Sequence, residues 1–416
     1  MHDSTSLPGS IPTSAGPAPV NRIDFVNERG RFFRMLARGA LLLLVTFGFY
    51  RFWLSTSIRR HLWSRTSVAG ESLEYTGTGR ELLVGFLFAL AILVPIYVLY
   101  FLIGIEFERF QAFASTPLFL FMILFGQFAI YRARRYRLTR TVWRGVRFWM
   151  NGSGWAYAFR AFGMQILVFL SLGLAYPWYA AWRERYKMRH TFYGDAPGAF
   201  EGRAGQFFRQ GIGMWMMTVG LAIVLLVVMG VVAAQTRGRA LGSFSVWHLL
   251  IVLIGIAIPL ISLFVYPYFK ALEWRWWAQG VRIGGVSMQS SLRGGQLLKI
   301  YLKILGWALL VLIGWGICAG VIGGLFYVMV GDPKNFMHFP IGAKIAGVVA
   351  IMFAYLSLGL SMGVVQRFYT QHEVWRAVVS SLTIQGVASL DGVVARGEAA
   401  NALGEGLADG LDVAGF

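Results

Sequence analysis

The sequence predicts an all-α polytopic membrane protein with six to eight transmembrane helices from internal repeats, and with small β-hairpin modules on the cytoplasmic side. Three observations lead to this fold class. The 416 residues are 57% hydrophobic and only 14% charged, whereas soluble domains are about 25% charged. Several apolar runs have the length of a membrane-spanning helix, and one segment of the chain recurs at a fixed offset.

The apolar runs account for the predicted transmembrane helices. A helix needs about 20 apolar residues to cross a hydrocarbon core of about 30 Å. Helices are expected because lipid cannot hydrogen-bond an exposed backbone. The eight runs cover residues 35–54, 82–104, 116–131, 160–182, 210–235, 246–269, 304–330 and 345–365.

The recurring segment relates residues that lie 125 positions apart. Residues 45–66 and 170–191 both run from a hydroxyl residue through Gly to Trp, and then through basic residues to Thr. A fixed register over nearly forty residues indicates an internal repeat. The matching pairs are Thr46 and Ser171, Gly48 and Gly173, Trp53 and Trp178, and Thr66 and Thr191.

A shorter polar module recurs in three places, and in each of them a Gly follows a Thr by eleven residues. Two β-prone stretches with aromatic residues flank a Gly-rich turn, which predicts a β-hairpin. Looser copies lie around residues 281–299 and 375–386, where the register is ambiguous. The three clear pairs are Thr66 and Gly77, Thr141 and Gly152, and Thr191 and Gly202.

The repeats divide the chain into predicted regions between two tails. The first twenty residues are rich in Pro, Ser and Gly and lack the apolar core of a signal peptide, so they are expected to be disordered. The predicted regions are a disordered N-terminal tail (1–21), a first membrane repeat (22–149), a second membrane repeat (150–274), a partial third repeat (275–390) and a C-terminal acidic tail (391–416).

The distribution of Arg and Lys predicts the topology. Cytoplasmic loops carry an excess of these residues, and the first and fourth apolar runs have basic segments on both sides. We therefore expect runs 35–54 and 160–182 to enter the membrane and return, or to lie at its interface, while the other six form three spanning hairpins. The alternative is eight ordinary crossings that break the charge rule. Both termini are predicted to be cytoplasmic.

The repeated motif resembles a known family. Its pieces are [ST]-[FL]-G-[FL]-x-x-[FP]-W, then R-x-x-x-x-x-T, then an aromatic residue, any residue and Gly. They are similar to the YjgN-like bacterial inner-membrane proteins, and residues 404–412 also resemble the end of that family. Where the family has Tyr and Pro before its Trp, the first copy has Tyr50 and Phe52, and the second has Ala175 and Pro177. The resemblance implies a multi-pass inner-membrane protein of unknown function and assigns no site residue.

The sequence contains no motif for catalysis, metal binding or cofactor binding, so we expect neither an enzyme nor a cofactor. Cys318 is the single cysteine, and His372-Glu373 lacks the second His of a zinc-protease motif. The net charge of +19 fits the positive-inside bias better than nucleic-acid binding. Membrane lipids, through anionic headgroups at the cytoplasmic face, are the expected partners, and homo-oligomerisation stays open.

Two functions are consistent with these observations. The first is transport of a small molecule, ion or lipid through a pocket between the repeats, since repeated units and kinked helices are common in transporters. The alternative is a non-transporting membrane scaffold or anionic-lipid-binding protein, for which a packed apolar interior is expected. The predicted lining of a transport pocket is Thr46, Gln127, Gln165 and Ser171.

Cysteines placed at Ser57, Phe113 and Gly194, in a Cys318→Ser background, test the topology. If runs 35–54 and 160–182 return to the side from which they entered, a membrane-impermeant thiol reagent labels positions 57 and 194 from one side and position 113 from the other. Labelling of positions 57 and 194 from opposite sides would instead support eight crossings.

Overall fold

The computed structural model of the chain describes residues 20–106, 111–236, 246–330, 340–397 and 400. The predictions for residues 1–19 and for the family-like end at 404–412 lie outside the described residues. Among the residues described, six helices are long and apolar enough to cross a membrane. The polytopic, mainly helical class is therefore confirmed, and a nearly closed sheet is present in addition.

Helices make up most of the described chain. A π-helical segment, Phe368–Glu373, links the last two of them. Their bounds are α1 Arg29–Val45, α2 Arg51–Ser64, α3 Gly79–Glu106, α4 Gln111–Thr139, α5 Gly154–Leu170, α6 Tyr176–Arg189, α7 Ala204–Thr236, α8 Val246–Gly280, α9 Gly294–Val330, α10 Ile341–Arg367 and α11 Val374–Val379.

The strands are short and lie between the pairs of helices. A 3₁₀ turn, Val387–Leu390, follows the last of them. Their bounds are β1 Val20–Phe25, β2 Thr66–Val68, β3 Glu71–Ser72, β4 Glu74–Tyr75, β5 Thr141–Trp143, β6 Val146–Met150, β7 Thr191–Tyr193, β8 Ala196–Phe200, β9 Val281–Ile283, β10 Val286–Ser290 and β11 Leu382–Gln385.

Each pair of consecutive helices starts and ends at two strands that pair with each other. Both ends of the pair are therefore fixed at the sheet, so the two helices form a hairpin that leaves the sheet and returns to it. The register that closes these hairpins places Phe25 opposite Thr66, Tyr75 opposite Thr141, Met150 opposite Thr191, Phe200 opposite Val281, and Ser290 opposite Leu382.

The strands form one sheet that curls into a nearly closed ring, which we call the sheet ring. Its order is β3-β2-β1-β11-β10-β9-β8-β7-β6-β5-β4, and the edge strands β3 and β4 are separated in sequence only by Leu73. Residues 71–75 thus pair with β2 on one side and with β5 on the other. A lone hairpin is marginally stable and exposes unpaired edges, so the predicted hairpin modules associate into a single sheet.

Two helical hairpins, α1–α2 and α5–α6, are shorter than the others and correspond to the runs predicted to enter and return. They reverse direction at residues 46–50 and 171–175. The two turns have the same backbone geometry, because Gly48 and Gly173 have φ of 89° and 90°, and the residue before each also has a positive φ. Within α1–α2 the helices approach closely, since a Cβ on Gly39 would lie 2.5 Å from a methyl carbon of Leu54.

The first hairpin also contacts the last helices of the described chain. Helix α1 packs against α10, and the Arg29 guanidinium donates to both carboxylate oxygens of Glu373 at 2.8 Å. This bidentate ion pair is the stronger form of such contacts. The helical hairpins are thus joined around the sheet ring from its first element to its last.

Side chains fill the interior of the sheet ring. Trp143, Tyr193 and Ile384 are among the residues buried there. The segment after β11 packs on this cluster through Val387, which is buried, and through Leu390. The axis of the sheet ring is therefore closed by packed apolar groups.

Gly198 in β8 provides a test of this close packing. A Cβ at this position would lie 2.7 Å from the carbonyl oxygen of Met188 and 2.8 Å from that of Thr191. Both are backbone atoms, which cannot move aside as a flexible side chain can. We expect Gly198→Ala to lower the free energy of unfolding by about 1–3 kcal/mol, as overpacking does.

The matched control is Gly163→Ala in α5, where nothing lies within 4 Å of the added Cβ. Since Ala favours a helix over Gly by about 1 kcal/mol, this variant should be as stable as the wild type or more so. Thermal unfolding in detergent compares the two. Equal unfolding midpoints for both variants would contradict the assigned packing of β8 against the end of α6.

Candidate functional site

A cavity, which we call the charged cavity, lies between the sheet ring and the membrane-spanning parts of the helices. Its volume is about 480 Å³, and it is lined by α4, α6, α8, the π-helical segment, α11 and β11. Its charged lining residues are Arg134, Arg183, Glu184, Lys270 and Glu273, and its aromatic ones are Trp274, Trp276, Trp277 and Trp375.

Four of the lining residues come from different helices but occupy the same position relative to the strand that follows each helix. Each of these residues stands seven positions before the first residue of the next strand. Because the helix ends are attached to strands of one ring, equivalent positions face the same axis. The residues are Arg134, Glu184, Trp274 and Trp375, and the strands begin at Thr141, Thr191, Val281 and Leu382.

Glu184 is a buried carboxylate at the centre of the charged residues, with a side chain that is only 7% exposed. One of its oxygens accepts hydrogen bonds from Arg183 and from Lys187, both at 3.1 Å. The other accepts from the indole N–H of Trp277 at 3.2 Å. A buried charge is tolerated when it is paired and hydrogen-bonded in this way.

Glu273 is the second carboxylate of the charged cavity. It accepts a hydrogen bond from the Tyr176 hydroxyl at 2.5 Å and one from the Lys270 ammonium at 2.7 Å. The Arg183 guanidinium approaches it to 3.9 Å. Glu273 thus links α8 to the beginning of α6.

Arg134 differs from the other cations because none of the ion pairs found among the described residues includes it. Its guanidinium makes a weak hydrogen bond to the Met188 sulfur at 3.7 Å, and its Nε is buried without a partner in the described part of the chain. Two carboxylates therefore face three cations in the lining, so the charged cavity has a surplus of one positive charge. The cations are Arg134, Arg183 and Lys270, and Lys187, which does not line the cavity, pairs with Glu184.

The neighbouring positive charges keep Glu184 of α6 ionised. Burial acts to raise the pKa of Glu184, but the charges of Lys187, Arg134 and Arg183 outweigh it and hold that pKa below its usual range. Burial lowers the pKa of Lys187, which Glu184 opposes. Glu184 is consequently an anion at neutral pH and serves as the counter-ion of the cations around it.

A second cavity, which we call the apolar groove, lies between α6, α7 and α8, next to the turn at 171–175. Its volume is about 460 Å³. Phe207 and Trp215 of α7, Tyr176 of α6 and Phe269 of α8 are among its lining residues. The indole N–H of Trp215 donates to the Leu172 carbonyl at 2.8 Å, which fixes the turn against α7.

The residues predicted to line a transport pocket lie outside both cavities. Thr46 and Ser171 stand at the turns of the two short hairpins, where each hydroxyl accepts a backbone N–H four residues ahead at 3.0 Å. Gln127 is buried in α4. Gln165 lies on the adjacent α5, with an oxygen that is buried and unbonded among the described residues. Their role in transport stays a prediction.

The three Thr residues of the repeated motif have one structural role. Thr66, Thr141 and Thr191 each begin a strand directly after a helix. Each hydroxyl donates to the carbonyl four residues earlier, at 2.8, 3.0 and 2.8 Å. Such a bond satisfies a carbonyl that the end of the helix leaves without a partner.

The Gly residues of the motif mark the passage from strand to helix. The carbonyls of Gly77 and Gly202 accept hydrogen bonds from an Arg guanidinium 17 residues earlier, at 2.8 and 3.0 Å. Gly152 has φ of 88°, a conformation that favours glycine. The motif tryptophans, Trp53 and Trp178, are 39% and 46% exposed, and their place in an interfacial belt stays a prediction.

The sequence pattern of one bacterial family matches residues 20–410. The chain belongs to this family, DUF898, whose members are described as bacterial proteins of unknown function. The resemblance to the YjgN-like family is thereby confirmed. No curated protein and no solved structure gave a match. Among the described residues, no group of three or more His, Cys, Asp and Glu side chains could hold a metal ion.

The charged cavity is absent from the predictions made from the sequence, although the sequence contains a signal for it. An Arg stands six residues before the strand that follows each helical hairpin. These arginines allow the ends of the hairpins to be aligned with one another in sequence. The two looser modules were ambiguous because their strands begin with Val281 and Leu382 rather than with Thr. The arginines are Arg60, Arg135, Arg185, Arg275 and Arg376.

Glu184→Gln tests the role of the buried carboxylate while keeping its shape. Removing one partner of a buried ion pair costs about 3–5 kcal/mol, so we expect a marked fall in the free energy of unfolding. The pKa of Glu184 is lower in the folded chain than its ordinary value of 4.5. Its contribution is therefore present above that value and lost as the pH falls below about 5, and the variant should lack this part of the acid dependence.

The control for this experiment is Glu201→Gln, which removes a carboxylate that is 64% exposed and paired with Arg282 at 3.0 Å. Exposed pairs contribute about 0–1 kcal/mol. Unfolding midpoints measured in detergent between neutral and acidic pH compare the three proteins. Glu184→Gln with the stability and acid dependence of the control would contradict the assigned role of Glu184.

Proposed function

We propose that the protein is a bacterial inner-membrane protein that binds an anionic headgroup in the charged cavity, with the sheet ring on the cytoplasmic side. The observation that carries the proposal is the excess of one cation in the lining, and above all Arg134, which makes no ion pair among the described residues and interacts with the charge of Glu184 only at longer range. Binding an anion would supply the missing counter-charge.

The chemistry of the lining fits a phosphate or carboxylate group. A guanidinium presents several N–H donors in a planar fork that matches such groups. Glu184 and Glu273 hold Arg183 and Lys270 in place, so the cations are positioned before a ligand arrives. Ordering of this kind lowers the entropic cost of binding.

The position of the charged cavity favours a ligand from the membrane surface. It lies where the spanning helices meet the sheet ring, next to Trp274, Trp276 and Trp277. Tryptophans are enriched at the level of the lipid headgroups. The arginine-rich helix ends at the same level favour the cytoplasmic side for the sheet ring, and the inner leaflet carries anionic lipids.

The inner membrane is favoured by the helical hairpins, because proteins that span the bacterial outer membrane are β-barrels. We propose binding rather than catalysis, since both carboxylates that line the charged cavity, Glu184 and Glu273, serve as counter-ions of its cations. The equal turns at Gly48 and Gly173, with φ of 89° and 90°, support descent of the two short hairpins from one internal repeat.

Transport of a small molecule, ion or lipid is the second candidate. It is favoured by the two short hairpins, α1–α2 and α5–α6, whose helices have 17 and 14 residues each and are therefore shorter than the roughly 20 residues that a membrane crossing needs. The filled interior of the sheet ring argues against a straight path along its axis. A transported ligand would instead have to move laterally, between the charged cavity and the lipid.

Arg134→Gln tests the proposal in the full-length protein in detergent. We expect phosphatidylglycerol to raise the unfolding midpoint of the wild type more than phosphatidylcholine does. Arg134→Gln should weaken the apparent affinity for phosphatidylglycerol by about tenfold, or about 1.4 kcal/mol. Titration with inorganic phosphate shows whether the anion alone is sufficient.

Arg160→Gln is the matched control, because Arg160 is an exposed cation of α5 and does not line the charged cavity. Its lipid response should equal that of the wild type. If both variants lose the same amount of affinity, the anion is attracted by the overall positive charge and the charged cavity is not its site.

A further inference from the structure

We infer that the anionic ligand is a membrane lipid, with its headgroup in the charged cavity and one acyl chain in the apolar groove. This inference rests on the proposed function and names the class of ligand. The two cavities have similar volumes, about 480 and 460 Å³. One is charged and the other apolar, as the two halves of an amphiphile require.

The two cavities share a wall made of α6, α7 and α8. Phe269 lines the apolar groove, and the next residue, Lys270, lines the charged cavity. Tyr176 of the groove donates its hydroxyl hydrogen to Glu273 of the cavity at 2.5 Å. The two cavities are therefore adjacent, with residues of one lining in direct contact with residues of the other.

Aromatic rings form the rest of this wall. Phe207 faces the groove and stacks on Trp276, which faces the charged cavity, with ring centroids 4.6 Å apart. The Lys270 ammonium lies 5.8 Å from the ring centroid of Tyr266, another groove residue. The Lys270 ammonium therefore lies beside the lining of the apolar groove.

The length and location of the apolar groove fit an acyl chain. Its lining residues on α7 run from Phe207 to Val219, which corresponds to about 18 Å at 1.5 Å per residue. One leaflet occupies about half of the 30 Å hydrocarbon core, so the groove is about as long as a leaflet is thick.

The turn beside the end of the groove that is far from the sheet ring is apolar and exposed. Phe169 and Leu170 precede the turn that closes this end, and they are 80% and 72% exposed. An apolar tip of this kind is stable only within lipid. A chain in the groove can therefore reach the bilayer without crossing a polar barrier.

Gly211→Phe tests the inference by filling the groove from α7. A Cβ on Gly211 would lie 3.7 Å from both Leu272 and Phe269, so the added ring must occupy the groove. We expect the apparent affinity for diacyl phosphatidylglycerol to fall by about tenfold or more. The response to inorganic phosphate should stay within about twofold of the wild type.

Gly213→Phe is the matched control, because Gly213 lies on the same helix with nothing within 4 Å of its Cβ position. Wild-type lipid affinity in Gly211→Phe would overturn the inference and leave the anion site in place. An Arg134→Gln variant that binds both phosphate and lipid like the wild type would overturn the proposed function itself.

A second measurement does not depend on the folding of Gly211→Phe. In phosphatidylcholine nanodiscs, a small fraction of phosphatidylglycerol with brominated chains should quench tryptophan fluorescence more than brominated phosphatidylcholine does. Trp215→Phe should remove most of that difference, because Trp215 lines the apolar groove. Equal quenching by the two lipids in the wild type would overturn the inference.

Discussion

Every helical hairpin of this protein is closed at its base by two antiparallel strands, and the rest of the structure depends on this pairing. Long apolar helices have few specific contacts with one another in lipid. The strands supply the missing specificity, since one register, such as Met150 opposite Thr191, sets where a hairpin begins and ends. Helix lengths can then differ widely, from the short α5–α6 to the long α9–α10, without disturbing the sheet ring.

The sheet ring also explains why charges can be buried beneath it. It brings the same position of successive helices towards one axis, where Arg183, Glu184 and Glu273 neutralise one another in part. Indole and hydroxyl donors, from Trp277 and Tyr176, satisfy the remaining carboxylate oxygens. The layer between sheet and bilayer is thus polar but ordered, and its remaining positive charge is confined to one place.

Much of the fold could be predicted from the sequence because its signals are local. Apolar length identified the spanning helices, and the flanking arginines separated runs 35–54 and 160–182 from the others. Closure of the ring could not be predicted, since the pairing of β1 with β11 joins residues more than 350 positions apart and leaves no local pattern. The charged cavity was missed because its residues come from four helices, and the arginines that mark equivalent positions are recognised only once the strand starts are known.

The hydroxyls of Thr46 and Ser171 show a different limit of prediction from sequence. A polar side chain within an apolar run suggests a pocket, but beside a glycine turn the nearest unsatisfied group is the backbone itself. Both hydroxyls bond to N–H groups of their own turn. A sequence shows that such a residue is polar, and the backbone conformation decides what the polarity is used for.

The order of strands around the ring has a consequence for biosynthesis. From β1 to β11, strands that are consecutive in the chain pair with each other, except for the two edge strands β3 and β4. A nascent chain can therefore add one helical hairpin and its strands at a time, with a single open edge waiting at each end. Only the synthesis of β11 offers a partner to the waiting edge of β1, so β11 completes the closure that β1 began.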